Sequence, residues 1–152
     1  MKKLIIISIC MAVLLLTSSC GIFSGVSDFN NVYQFSVMIT ENNETISYDY
    51  YKDEDSLIKS RMYFNGEFYS CEEIARIELT DDLKAEVKNQ CKKIQNRCIS
   101  PINDPESIYS YDYCVIITPD TGNTRALLGK GELPKYMLDL LDFYKNAFSS
   151  AK

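Results

Sequence analysis

Histidine and tryptophan are absent from all 152 residues. Without histidine there is no Ser-His-Asp or Cys-His catalysis, no imidazole acid or base, and no His-containing zinc site. No C-x-x-C pair occurs, which argues against a redox-active dithiol. Gly129 and Gly131 form a G-x-G that lacks the third glycine and the strand-to-helix setting of a phosphate loop. There is no basic patch, because bases and acids are interspersed and number 16 against 21. This balance argues against nucleic acid as a partner and against charge-driven contact with anionic headgroups. Nothing in the chain calls for a cofactor. The longest apolar run, Leu4 to Leu16, is 13 residues broken by Ser8. A bilayer core needs about 20.

That run nevertheless has a recognisable setting. Lys2 and Lys3 precede it, and small residues Thr17, Ser18 and Ser19 follow, which is the layout of a secretory signal peptide. The stretch Leu16-Thr17-Ser18-Ser19-Cys20 resembles the lipobox of bacterial lipoproteins, with Thr17 standing where that family prefers leucine. The resemblance implies that residues 1–20 act as a cleaved signal, that the cut falls before Cys20, and that Cys20 carries the lipid. Each buried CH₂ contributes about 0.8 kcal/mol, so several acyl chains hold firmly where one holds marginally. Gly21 is not acidic, which in that family implies the periplasmic side of the outer membrane if the host is Gram-negative. Residues 21–31 read as a tether with a reach of roughly 18 Å. Residues 32–150 are expected to form one domain.

The signal segment holds two of the 16 bases and none of the 21 acids, so the remainder carries 14 minus 21, or −7. Setting aside Cys10 and Cys20 leaves Cys71, Cys91, Cys98 and Cys114. Four cysteines in an exported domain suggest two disulfides. Their spacing, without a C-x₂-C pair, argues against zinc. Residues 83–98 read as a helix with Leu83, Val87, Cys91, Ile94 and Cys98 on one stripe. If unbroken, it would hold Cys91 and Cys98 about 10.5 Å apart, beyond disulfide reach of roughly 7 Å. Either the helix ends near Gln95 and Cys98 folds back to Cys91, leaving Cys71 with Cys114, or both pair with Cys71 and Cys114. The first pairing is the favoured expectation.

From Val32 the pattern has a period of two. Tyr33, Phe35, Val37 and Ile39 share one face, and after Asn42-Asn43 the residues Ile46, Tyr48 and Tyr50 continue it. A two-residue turn there sets Ile39 opposite Ile46, Val37 opposite Tyr48 and Phe35 opposite Tyr50. Residues 52–56 form a polar loop with too few ligands for a cation cage. Ile58 to Phe64 is a strand, Asn65-Gly66 a hairpin turn, Glu67 to Cys71 its return, and Ile74 to Leu79 a short further strand. Thr80 can cap the helix, with Asp81 and Asp82 in its first turn. A loop over 99–108 leads to a strand from Tyr109 to Thr118, with Tyr109, Tyr111, Tyr113, Val115 and Ile117 on one face. The turn at 119–123 leads to Thr124–Leu128. Pro134 opens a last helix with Met137, Leu141, Tyr144 and Phe148 on its buried stripe, widened by Leu140.

The expected fold is therefore α+β: an antiparallel sheet of hairpins with two helices packed on one face. In LTDDLKAEV, YDYCVIITPDTGNTRALL and LPKYMLDLLDFY the stretch from Ala75 to Phe148 resembles the ββαββα layout of emfourin-like domains and of related lipoprotein domains. Some members of that group inhibit metalloproteases, so the resemblance implies an inhibitor or binding module and carries no functional residue. The leading expectation is a non-catalytic module, anchored by Cys20, that binds a protein in the envelope or outside the cell. A structural envelope component is the alternative, and a carboxylate-dependent glycan hydrolase a further one, though no acid pair stands out for it.

Overall fold

The structure, a computed structural model, describes residues 31–41, 44–64, 69–102 and 105–150. Strands β1 (Val32–Glu41), β2 (Glu44–Tyr51), β3 (Ser56–Phe64) and β4 (Tyr69–Glu78) precede helix α1 (Asp81–Ile94). A 3-10 turn (Gln95–Arg97), strand β5 (Ser100–Pro101) and a 3-10 segment (Pro105–Ser110) follow. Strands β6 (Tyr113–Pro119) and β7 (Arg125–Gly129) and helix α2 (Lys135–Ser150) complete the order. The strands form one seven-stranded sheet in the order β4-β3-β2-β1-β6-β7-β5, with every pairing antiparallel. The α+β class is as the sequence led us to expect.

Strand alternation decides most of this. Ile39 faces Ile46, Val37 faces Tyr48 and Phe35 faces Tyr50, the register inferred from pairing apolar residues on one face. The Asn42–Asn43 turn itself lies outside the described residues. Both helices cover this face. Val87, Cys91 and Ile94 of α1, and Met137, Leu140, Leu141 and Tyr144 of α2, join Phe35, Val37, Tyr48, Leu57, Val115 and Ile117 in one buried cluster. Thr80 caps α1 by accepting from the Leu83 N–H at 3.3 Å, and Asp81 and Asp82 sit where the helix dipole favours acids. Pro134 precedes α2, and its carbonyl accepts from Met137 and Leu138.

The opposite face has a smaller cluster of Met38, Cys114, Ile116 and Ala126. Ile102, Ile108 and Tyr109 pack against it. The sheet is thus covered by helices on one side and, over β6 and β7, by a short 3-10 segment on the other. Gly129 lies opposite Tyr113, whose ring covers it so closely that a Cβ there would stand 1.9 Å from the ring.

Several expectations need correction. A bulge between Val32 and Gln34 places Val32 in the core and leaves Tyr33 exposed, so Tyr33 does not share the face of Phe35. The two short strands expected over 67–79 are one ten-residue strand, β4. Its hairpin pairs Phe64 with Tyr69, whereas a two-residue Asn65-Gly66 turn requires Phe64 opposite Glu67; residues 65–68 themselves lie outside the described residues. The strand expected from Tyr109 begins only at Tyr113, and Tyr109 packs on the opposite face from Tyr113.

Candidate functional site

Of the predicted site residues, Cys91, Cys98 and Cys114 are buried and Cys98 lies near enough to perturb both others, while Cys71 stands apart on the edge strand. Cys20 lies outside the described residues. Cys71, Cys91, Cys98 and Cys114 are free thiols, the first exposed and the others buried. The expected Cys71–Cys114 bridge is ruled out by strand order. Cys71 is on edge strand β4 and Cys114 on β6, four strand steps away. At about 4.8 Å per step that is about 19 Å, far beyond the roughly 7 Å a disulfide spans. The Cys91–Cys98 bridge is not formed either. Helix α1 does end at Ile94, as that pairing required, but the Cys98 thiol is directed at the carbonyls of Ile94 and Val115, 3.8 and 3.9 Å away. Neither Cys91 nor Cys98 is paired with Cys71: both are free and buried, and Cys71 is free and exposed on the edge strand. Burial pushes the Cys91, Cys98 and Cys114 thiols up to about 12. A thiol so rarely ionised is a poor nucleophile and a poor metal ligand.

The sheet face away from the helices holds an unexpected polar network. Asp49 stands directly across from Ser36 on the neighbouring strand, and Ser47, two residues earlier on its own strand, donates to its carboxylate. Ser36 also bonds to Asp49 and accepts from the Gln34 amide at 2.8 Å, which reaches Tyr51 Oη at 3.3 Å. Burial raises the Asp49 carboxyl, against which the two serine hydroxyls pull down. Burial, with Asp49 next in weight, pushes the Tyr51 phenol up to about 12. A carboxyl with raised proton affinity beside hydroxyls is a group that can exchange protons with a substrate that reaches it. Asp49 is 8% exposed, Ser36 1% and Ser47 3%, so all three lie beneath the surface of the fold. The network is internal. Ser36, Ser47 and Asp49 alternate in sequence with the apolar residues of β1 and β2, and nothing in that pattern signals that this second face is buried as well.

What reaches solvent is the outer edge. At one end of the sheet, β5 is two residues long and ends in Pro101, which has no N–H to offer. At the other end β4 is ten residues long and, among the described residues, pairs only with β3. Most of its side chains are exposed, including Ile74, which is the extra residue of a bulge opposite Lys59 and Ser60. Tyr63 and Phe64, at the far end of β3, are 46% and 58% exposed. Glu72, Glu73, Arg76 and Glu78 add charge along the strand. Arg76 forms a clamp with Glu73 at 2.8 Å and Glu54 at 2.5 Å, and their carboxylates raise its already high pKa further. Among the described residues no group of three or more Cys, Asp or Glu is placed to hold a metal ion.

Compared with known protein families, curated proteins and solved structures, the chain gives no significant match.

Proposed function

We propose that the chain is a membrane-anchored extracytoplasmic lipoprotein, held by lipid on Cys20, whose domain is a non-catalytic module that binds a protein partner along the β4 edge. The observation that supports the binding role is the asymmetry of the sheet: one edge is the two-residue β5 ending in proline, and the other, β4, runs for ten residues with no further strand beside it among the described residues. An extended partner segment can add to such an edge, with main-chain hydrogen bonds supplying affinity and alternate side chains specificity. Charged residues and the bulge at Ile74 restrain indiscriminate edge pairing, which suits a selective contact. Tyr63, Phe64 and Ile74 supply apolar anchors of the kind enriched at interfaces.

The test places a photo-crosslinking amino acid at Ile74 and, separately, at Leu138, an exposed residue of α2. A discrete envelope-protein adduct from position 74 and none from 138 supports the edge. Equal adducts from both positions, or none from 74, overturns it. The anchor is tested on its own by Cys20→Ala: a variant that still fractionates with membranes removes that half of the reading.

A further inference from the structure

Helices α1 and α2 lie antiparallel, with the first turns of α1 beside the last turns of α2. Their seam contains a hollow at each end. The smaller, about 370 Å³, lies between Lys93 and Ile94 of α1 and Tyr136, Asp139 and Leu140 of α2. The larger, about 560 Å³, adjoins the end of the open strand β4.

The larger hollow has two-part chemistry. Apolar side chains line it: Ile77 from β4, Leu83 from α1, and Phe143 and Ala147 from α2. Three acids, Glu78, Asp82 and Glu86, join them, and the neutral Thr80, Asn146 and Ser150 complete the lining. Elsewhere on the surface, Glu44, Glu54, Asp55, Glu73 and Asp120 each pair with a lysine or arginine. No ion pair joins Glu78, Asp82 or Glu86 to a base among the described residues. Arg76, two residues from Glu78, is committed to Glu54 and Glu73, and Lys84, two residues from Asp82 and from Glu86, is committed to Asp55 at 2.5 Å. An apolar recess beside three unneutralised carboxylates repels acidic ligands and attracts a ligand that is both basic and apolar.

We propose that this hollow receives a basic amphipathic helix of a partner protein. A large apolar side chain of that helix seats among Leu83, Phe143 and Ala147, and its lysines or arginines pair with Glu78, Asp82 and Glu86. The geometry is that of a helix laid into a groove, here between two helices. This deepens the binding reading above, on which it rests: the hollow continues from the Ile77–Glu78 end of β4, and the inference names the chemistry of what binds there.

The probe is a fluorescein-labelled Leu/Lys amphipathic peptide of about 18 residues, long enough for some five helical turns, followed by fluorescence anisotropy on the folded protein. Saturable binding is expected, weakened by raising salt from about 0.05 to 0.5 M. Reversing two acids, Glu78→Lys with Glu86→Lys, should weaken it about tenfold or more. Ala147→Phe, which fills the recess without touching charge, should weaken it comparably. Reversing two remote acids, Asp53→Lys with Glu132→Lys, changes net charge equally and should leave binding intact. Equal loss from the remote reversal would mean diffuse attraction to an acidic protein and would overturn the proposal. So would equal binding of a lysine-only peptide, or indifference to Ala147→Phe. None of these outcomes bears on the crosslink at Ile74, so the hollow can fail while the edge stands.

Discussion

The ring of Tyr144 stacks on that of Tyr48, centroids 5.2 Å apart and planes 19° from parallel. This contact joins α2 to β2 at the middle of the core. Phe143 meets Tyr144 edge-on at 5.0 Å, and Phe35 lies 6.4 Å away at a tilt. Such pairs add about 0.5–1.5 kcal/mol beyond simple burial.

The Tyr144 hydroxyl has no hydrogen-bond partner among the described residues, although it is wholly buried. A buried unsatisfied hydroxyl costs roughly 1–3 kcal/mol. Tyr144→Phe keeps every ring contact and removes that cost, so it should raise stability by about 1 kcal/mol in urea unfolding. Tyr144→Ala should lower it by about 3–5 kcal/mol. A phenylalanine variant that loses stability would show that the hydroxyl has a partner after all.

Asp49 gives a signed pH dependence. Burial holds its folded pKa above the ordinary 3.8. In the window between 3.8 and the folded value, the folded protein binds more protons at this site than the unfolded chain. The contribution of Asp49 is therefore fully present below 3.8 and lost as pH rises through the folded value. Asp49→Asn can keep the bonds to Ser36 and Ser47 without the charge. The stability of the variant minus that of the parent should rise with pH across this window and level off above it. A flat difference in paired unfolding curves would contradict the cause assigned here.

The thiols differ in reactivity by burial. Iodoacetamide at about pH 8 meets almost no thiolate at Cys91, Cys98 or Cys114, whose pKa values lie near 12. Mass mapping should find Cys71 modified first and the other three only after unfolding. A Cys71–Cys114 peptide recovered from the oxidised monomer would be incompatible with the strand order.

Local pattern made the first hairpin readable. Asn42-Asn43 and strict alternation on both sides left one register that matched apolar to apolar, and that register is present. Strand β4 reads as two strands in sequence because the bulge at Ile74 reverses the alternation between Cys71 and Ile77. The Tyr109-x-Tyr111-x-Tyr113 alternation mimicked a strand, but its first half is a 3-10 segment that turns Tyr109 to the other face. The open edge could not be read at all. It depends on β6 inserting beside β1 rather than beside β4, a choice made by tertiary packing that no local signal records. The disulfide expectation failed for the same reason, since cysteine count says nothing of strand order.

The position of β1 also sets a timetable. It is made first, yet it ends in the middle of the sheet, between β2 and β6. Its pairing with β2 closes across two residues, whereas Phe35 must find Ile117, 82 positions later in the chain. Strands β1 to β4 can zip up locally in sequence, but the second side of β1 remains unpaired until β6 arrives. Long-range pairings of this kind slow folding. The late capture of β6 by β1 is then the step at which the two halves of the chain commit to one another, and before it a strand that brings Phe35, Val37 and Ile39 to the core has a bare edge.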